Sequence, residues 1–169
     1  MKNLAKDGDW RARREVARHP STSPEVLAQL ASDEDWMVRG EVARRLSAPI
    51  EILTRLAEDK EWIVRLNVAT HPRAPSEILA QFASDESRVV RREAAYHPHM
   101  PTEALIGLCW DQNVGVRQAA AKTLLDRLDE LPEDPALWLA MWEASGRKGR
   151  KKIEEHPYGQ AIAVLARLS

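Results

Sequence analysis

The sequence predicts an all-α fold of about five two-helix repeats of 26 residues, followed by a helical C-terminal cap. Three observations predict it: a motif recurs every 26 residues, the apolar positions within each repeat have helical spacing, and the rhythm stops near Leu128. A period of about 20 to 50 residues is typical of stacked supersecondary units. We therefore assign residues 1–128 to the repeats and residues 129–169 to the cap.

The repeat is marked by an acid, a base and an alanine at fixed offsets. The motif at residues 4–10 returns at 30–36 and 56–62, and weaker copies begin at Phe82 and Leu108. Each copy contains an Asp, an Arg six residues later and an Ala four residues after the Arg: Asp7, Asp33, Asp59, Asp85 and Asp111; Arg13, Arg39, Arg65, Arg91 and Arg117; Ala17, Ala43, Ala69, Ala95 and Ala121. We interpret the charged residues as scaffold, because the Asp can accept from free backbone N–H groups and the Arg can reach an acid of the neighbouring unit.

The first helix of each repeat is predicted from its start signal and its apolar face. Ser23, Ser76 and Thr102 precede or follow a proline and are followed by an acid, as at a helix N-terminus. Apolar residues then share one helical face, and the same offsets recur in three repeats: Val26, Leu27, Leu30, Ala31; Ile52, Leu53, Leu56, Ala57; Ile78, Leu79, Phe82, Ala83. Cys109 occupies the Ala position of this face, so we expect it to pack as a small core residue.

The second helix is predicted to start after a capping residue and, in three repeats, to end before a proline. The expected caps are Asp9, Asp35, Ser87 and Asn113, whereas the equivalent Glu61 is a poorer cap. The inward positions are Val38, Val42, Val64, Val68, Val90 and Ala94. His-Pro ends the helix at His19, His71 and His97, since the residue before proline is pushed out of the helical region. The second repeat has Arg45-Leu46 there, so we expect a different exit.

These residues resemble a known repeat family. The pattern L-A-x-D-x-x-W-x-V-R-x-x-V-A-x-H-P followed by P-x-E-V/I-L is similar to the leucine-rich repeat variant family, and the Asp and Arg six residues apart are also similar to HEAT-type repeats. The resemblance implies a right-handed solenoid of α-helices alternating with short α- or 3₁₀-helices. It covers about three quarters of the chain and identifies a repeat rather than a function.

The cap is expected to contain two helices separated by a basic loop. Residues 129–135 are predicted to form a turn, and the following helix at 136–144 is apolar on nearly every side, which indicates burial. Residues 145–152 are predicted to form the basic loop, and residues 159–169 a last helix with Ile162, Leu165 and Ala166 facing inward. Such a cap closes the open end of a repeat stack.

Composition excludes several classes of protein. The net charge is −1, so any basic patch must be local, and the chain contains one cysteine, which excludes an internal disulfide, an iron–sulfur cluster and zinc-type cysteine spacing. These features favour a reducing cytoplasm. We also expect no membrane association, because no apolar run approaches the roughly 18 residues of a membrane span.

The usual chemical motifs are missing from the sequence. His19, His71 and His97 lie on successive repeats, and layers separated by about 8 to 10 Å cannot place them around one ion. No nucleophile motif or Gly-rich phosphate loop occurs. We therefore predict no enzyme activity, no metal site and no cofactor.

The tryptophans at one repeat offset have two interpretations. Trp10, Trp36 and Trp62 could stack on a ligand, but a large aromatic repeated at equal spacing more often packs between layers with its indole N–H on a carbonyl. We favour packing for this column. For Trp138 and Trp142, four residues apart in the cap, core packing and partner contact both remain open.

A partner site is predicted where the repeats differ. Three positions of the second helix, at i, i+3 and i+7 on the side away from the valines, vary between repeats. They form an apolar strip with arginines at its edges, here called the variable strip: Arg11, Arg14, Arg18, Met37, Arg44, Ile63, Leu66, Val89, Arg92 and Tyr96. An apolar surface rimmed by polar groups marks an interaction site, but the C-terminal segment or a second copy of the chain could equally cover it.

Two functions follow from these surfaces. The leading prediction is a non-catalytic scaffold that binds a protein or peptide along the variable strip, with a homodimer as one outcome. The alternative is nucleic-acid binding through the strip arginines together with the basic residues of the cap, Arg147, Lys148, Arg150, Lys151 and Lys152.

Overall fold

The computed structural model describes residue 5 and residues 8–168, apart from the side chains of residues 161, 164, 165, 167 and 168. Leu4 and Asp7 of the first motif, and the side chain of Leu165, therefore lie outside the described residues. Contacts divide the chain into two compact lobes, an N-lobe of residues 1–78 and a C-lobe of residues 79–169.

The described secondary structure is helical throughout and follows the repeat. The N-lobe contains α1 (Trp10–Arg18), α2 (Pro24–Leu30), α3 (Trp36–Ala43), α4 (Ile50–Leu56) and α5 (Trp62–Ala69). Helix α6 (Ser76–Phe82) spans the division at Ile78. The C-lobe continues with α7 (Arg88–Tyr96), α8 (Thr102–Leu108), α9 (Val114–Leu124), a 3₁₀ turn at Leu128–Glu130, α10 (Pro135–Ala144), α11 (Arg147–Glu155) and α12 (Pro157–Leu168). The all-α helical-repeat fold is confirmed.

The second helices stack within each lobe on the faces that the sequence predicts. Helix α3 packs against both α1 and α5 in the N-lobe, and α7 packs against α9 in the C-lobe. The inward valines of α3 and α5 are 0% exposed, as are Val90 and Ala94 of α7. Cys109 is buried at the predicted core position.

Helix starts use fewer side-chain caps than the sequence suggests. Asp9, Asp35 and Asn113 accept from the backbone N–H two residues later, and Glu61 makes no such bond, as expected. Ser87 occupies the N-cap position of α7 as predicted, but its side chain makes no cap hydrogen bond. Ser23 also makes none, and Thr102 lies inside its helix after Pro101, because a proline at the start already fixes a suitable φ.

The histidines at the helix exits organise the next turn. His19, His71 and His97 each accept on Nδ1 from the backbone N–H two residues later, at 3.2, 3.1 and 3.1 Å. The neutral tautomer that accepts there carries its proton on Nε2, and His71 donates it to the Arg45 carbonyl at 2.9 Å. Arg45, which replaces the histidine in the second repeat, instead donates to the carbonyls of Ala17, His19 and Pro20. The expected difference at this exit is confined to the side chain, because the Ala48 N–H bonds the Arg45 carbonyl at 2.9 Å and the backbone turn is the same as in the other repeats.

The repeated Arg and Asp connect successive layers. In three pairs within the lobes, the arginine Nε and Nη2 form a fork on the carboxylate of an Asp 20 residues ahead: Arg13 to Asp33, Arg39 to Asp59, and Arg91 to Asp111. The Nε to Oδ2 distances are 2.7, 2.5 and 2.6 Å. The remaining nitrogen, Nη1, holds the turn of the arginine's own repeat, as in the 2.8 Å bond from Arg39 to the Asp33 carbonyl. One guanidinium thus fixes both a turn and a layer.

The C-terminal cap has its own core. Leu137, Trp138 and Met141 of α10 are fully buried, as the apolar character of this helix predicts. Helix α10 packs on α9 and on α12, and the Trp138 indole N–H donates to the Pro132 carbonyl at 2.9 Å. The sequence left open whether Trp138 and Trp142 pack in the core or contact a partner, and in the structure both side chains are buried in the core.

The basic segment at 145–152 is helical and not a loop. Only Ser145 and Gly146 separate α10 from α11, which begins at Arg147. Arginine and lysine have high helix propensity, and burial of Ile153 on the inner face anchors this helix. The basic residues therefore lie on one ordered helix.

Removing an arginine fork should destabilise the protein strongly. We expect Arg39→Ala to lower the free energy of unfolding by about 3 to 5 kcal/mol, because it leaves the Asp59 carboxylate buried without its partner. Urea unfolding monitored by circular dichroism measures this. The matched control is Arg14→Ala in the same lobe, where Arg14 pairs with Glu41 at 3.2 Å and is 38% exposed. The control should cost less than about 1 kcal/mol, and equal losses for both variants would contradict the role of the fork.

Candidate binding surfaces

The paired Asp and Arg side chains of the repeated column hydrogen-bond to each other and to the backbone, so these positions offer no free ligand site. The Oδ1 atoms of Asp33, Asp59 and Asp111 also accept from backbone N–H groups two residues later, at 2.9, 2.9 and 2.7 Å. Burial by itself raises the pKa of these carboxyls, but the hydrogen bonds from the arginines and the backbone outweigh it, and each pKa lies below its ordinary value. These aspartates stay ionised and serve the scaffold, as the sequence predicts.

The described residues contain no cluster of metal-ligating side chains, and their cysteine is buried. They contain no group of three or more His, Cys, Asp or Glu side chains placed to hold a metal ion. Burial raises the pKa of the Cys109 thiol to about 12, so the thiolate that a nucleophile requires is scarce at neutral pH. The described part of the chain also has no helix with the length and apolar character needed to span a membrane.

The tryptophan column packs less completely than expected. Trp10 and Trp36 are half-buried, and the guanidinium of Arg11 lies 4.7 Å from the centre of the Trp10 ring. Trp62 is 40% exposed. Among the described residues, Trp138 is the tryptophan whose indole N–H is bonded to a carbonyl. Trp36 and Trp62 start their helices, and neither indole N–H has the expected carbonyl partner within the described part of the chain.

In the N-lobe, the variable strip lies at the surface with its apolar members half-buried. Met37, Ile63 and Leu66 are partly exposed, whereas Arg11, Arg18 and Arg44 are exposed. A shallow groove of about 280 Å³ runs between α3 and α5, and it is lined by Arg14, Trp36, Met37, Gly40, Glu41, Arg44, Ile63 and Asn67. This groove contains most of the strip residues that the sequence places in these repeats.

Gly40 sets the closeness of the two helices that form this groove. The Asn67 amide donates to the Gly40 carbonyl at 3.2 Å, and a Cβ at Gly40 would lie only 3.1 Å from that amide nitrogen. A side chain at position 40 would therefore displace the Asn67 amide and disturb its hydrogen bond to the Gly40 carbonyl. The glycine keeps the floor of the groove flat, and Arg14 on one wall is neutralised by Glu41.

In the C-lobe, the strip residues lie beside the cap. Val89 is half-buried, Arg92 is exposed and paired with Glu93 at 2.7 Å, and Tyr96 is 44% exposed with the Lys122 ammonium 5.4 Å from its ring centre. Residues 144–149 at the junction of α10 and α11 form the other side of a 600 Å³ groove next to Tyr96. The C-terminal segment borders this part of the strip but leaves Tyr96 exposed.

The basic residues of α11 have mixed environments. Arg150 donates to the Trp142 carbonyl at 3.1 Å and lies over the Trp142 ring, and Lys152 bonds Asp126 at 2.8 Å. Lys151 approaches Glu155 at 3.9 Å, while Arg147 and Lys148 are exposed. Of the five residues that the nucleic-acid alternative requires on this segment, these contacts engage three.

Sequence reasoning missed an apolar groove in the C-lobe, here called the end groove. Trp110 and Val114, at the turn between α8 and α9, are 52% and 55% exposed. They face Ala136, Leu139 and Ala140 on the outer side of α10 across a groove of about 560 Å³. A signal was present, since the equivalent positions of the earlier repeats are the polar Ser32, Glu58 and Ser84, and Trp110 interrupts this polar column.

Comparison with known families identifies the repeat. The family model described as leucine rich repeat variant matches residues 10–35 and 62–87, and each match starts at the tryptophan of a second helix and spans one full period. Two of the repeats therefore match the leucine rich repeat variant. Both the resemblance stated from the motif and the helical-repeat fold are thereby confirmed, and no curated protein matches the sequence as a relative. The leucine rich repeat variant is a scaffold type of repeat, and the match assigns no specific partner.

The lowered pKa of the fork aspartates predicts acid sensitivity. A carboxyl whose folded pKa lies below its unfolded pKa contributes stability at pH values above the unfolded pKa of about 4, and this contribution is lost as pH falls through the folded pKa. The midpoint of urea unfolding should therefore drop between about pH 5 and pH 2. Asp59→Asn should lower stability at pH 7 and reduce this pH dependence, whereas an unchanged slope would contradict the assignment.

Proposed function

We propose that this protein is a non-catalytic repeat scaffold that binds a protein or peptide along the variable strip. The observation that carries the proposal is the N-lobe groove, where Met37 and Ile63 form a partly exposed apolar floor between Arg14 and Arg44. Protein interfaces combine such an apolar centre with a polar rim. The match to a scaffold-type repeat supports the same function.

The contrast between constant and variable offsets within this chain gives a second line of support. The fork residues and the inward valines repeat along the chain, and their side chains form the contacts that hold successive layers together. The strip residues change at every layer, from arginine in the first repeat to isoleucine and leucine in the third. A surface that differs from layer to layer can recognise one partner, which an identical column cannot do.

The charges favour a protein partner over nucleic acid. Three of the strip arginines are paired with acids, Arg11 with Asp9, Arg14 with Glu41 and Arg92 with Glu93. Phosphate binding relies on cations that are free to displace counterions. The nucleic-acid alternative consequently has less support, and binding of mixed DNA or RNA that weakens steeply with salt would revive it.

Introducing negative charge in the strip should abolish partner binding without unfolding the protein. We expect the double variant Ile63→Glu and Leu66→Glu to lose the partner recovered by immobilised wild-type protein from the source cell, as measured by quantitative mass spectrometry. Its melting temperature should fall by less than about 5 °C, because both side chains are only half-buried.

Leu46→Glu is the matched control. Leu46 is an apolar residue of the same lobe, lies outside the strip and is 67% exposed. This variant should retain the partner. A collapse of the fold in the double variant would instead show that Ile63 and Leu66 belong to the core, and equal partner loss in the control would show nonspecific capture.

A further inference from the structure

Arg117 is the last arginine of the repeated column, and within the described residues no aspartate accepts from the two nitrogens, Nε and Nη2, that form the fork in the other layers. The pairs formed by Arg13, Arg39 and Arg91 all join an arginine to the residue 20 positions ahead. The residue 20 positions after Arg117 is Leu137, a fully buried residue inside α10, whereas the fork aspartates of the other layers follow the first helix of their repeat. The repeated pattern therefore supplies no aspartate for Arg117.

The rest of the Arg117 interaction is intact. Its Nη1 donates to the carbonyls of Asp111 and Gln112 at 2.8 and 3.2 Å, as in the other repeats. Within the described part of the chain, its Nε and Nη2 have no hydrogen-bond acceptor and no acid within ion-pair distance. Arg117 is half-buried, so part of its hydration is lost without a compensating partner.

The open fork lies in the end groove. Arg117 lines this groove together with the exposed Trp110 and Val114 and with Leu139 of α10. Two acids are close: Asp111, whose carboxylate is occupied by the fork of Arg91, and Glu143, which is exposed at the rim. The volume of about 560 Å³ accommodates a few side chains.

We propose that the end groove binds a segment of a partner protein that places an aspartate on the Arg117 fork and an apolar side chain against Trp110 and Val114. The aspartate takes the place that the turn aspartate of a following repeat occupies in the other layers. A planar guanidinium with two adjacent free donors matches one carboxylate in a bidentate geometry. The apolar walls supply desolvated contact area, and Glu143 at the rim favours a basic residue further along the segment.

The groove chemistry favours a peptide carboxylate over a nucleic-acid phosphate. A phosphate backbone brings several negative charges and needs several free cations. Here one guanidinium lies among apolar side chains, with Asp111 and Glu143 nearby. This site is separate from the variable strip and does not depend on the function proposed for it.

A peptide copied from the chain's own repeat provides a defined probe. Residues 82–88 contain an apolar residue, the turn aspartate Asp85 and a terminal arginine. We expect this peptide, labelled with fluorescein, to bind the full-length protein with a micromolar dissociation constant, as measured by fluorescence anisotropy. The peptide variant Asp85→Asn should bind about 10-fold more weakly or worse, and Glu86→Gln should bind unchanged.

Protein variants complete a double-mutant cycle. R117Q should weaken binding of the unmodified peptide by a similar factor of about 10, and it should bind that peptide and its Asp85→Asn variant alike. W110S should also weaken binding, and it keeps the test valid if R117Q melts early, because Trp110 is exposed. R92Q, at a strip position of the same lobe, and the double variant of Ile63 and Leu66 should bind the peptide like wild type.

Four results would overturn the proposal. The first is that wild-type protein does not bind the peptide at about 1 mM, a concentration well above the dissociation constant that one carboxylate and one apolar anchor should give. The second and third are equal affinity of the wild-type protein for the two peptides and unchanged affinity of R117Q for the unmodified peptide. The fourth is self-association in sedimentation equilibrium that R117Q abolishes. The last would show that a second copy of the chain occupies the end groove.

Discussion

The structure depends on the arginine fork between successive repeats. Each paired arginine uses one nitrogen to hold the turn of its own repeat and two to grip the aspartate of the next. Burying a lone charge would cost several kcal/mol, so this arrangement is stable only because both partners and the backbone groups around them are satisfied together. The aspartate in turn holds the N–H that precedes the next second helix. Turn geometry, helix start and layer spacing therefore follow from one contact repeated at constant sequence separation.

Because the fork and the inward valines hold the layers, the outer positions of the second helices can vary. The N-lobe groove results from this freedom: Gly40 permits close helix packing, and Met37 and Ile63 fill the floor with partly exposed apolar surface. Local acids neutralise several of the surrounding arginines. The surface is thus better suited to a protein than to a polyanion.

The contacts between the cap and the last repeat differ from the contacts between one repeat and the next. Helix α10 packs on α9 and on α12 and buries Leu137, Trp138 and Met141, and it is followed by a basic helix whose Arg150 lies over the Trp142 ring. No aspartate of the repeat pattern follows Arg117 in the cap, so the last fork stays open. Trp110 and Val114 are exposed beside that fork.

The sequence by itself determined the repeat, the two helices of each unit, the core valines, the burial of Cys109 and the scaffold role of the Arg and Asp column. These are predictable because each contact recurs at one separation, so that a single alignment of the chain with itself exposes it. The tertiary structure alone decided that residues 147–155 form a helix, that the Ser87 side chain makes no hydrogen bond at its N-cap position, and that Trp110, Val114, Leu139 and Arg117 share a groove. The helix and the groove arise where the cap meets the last repeat. Contacts there occur once and join residues at irregular separations, so no periodicity in the sequence can reveal them.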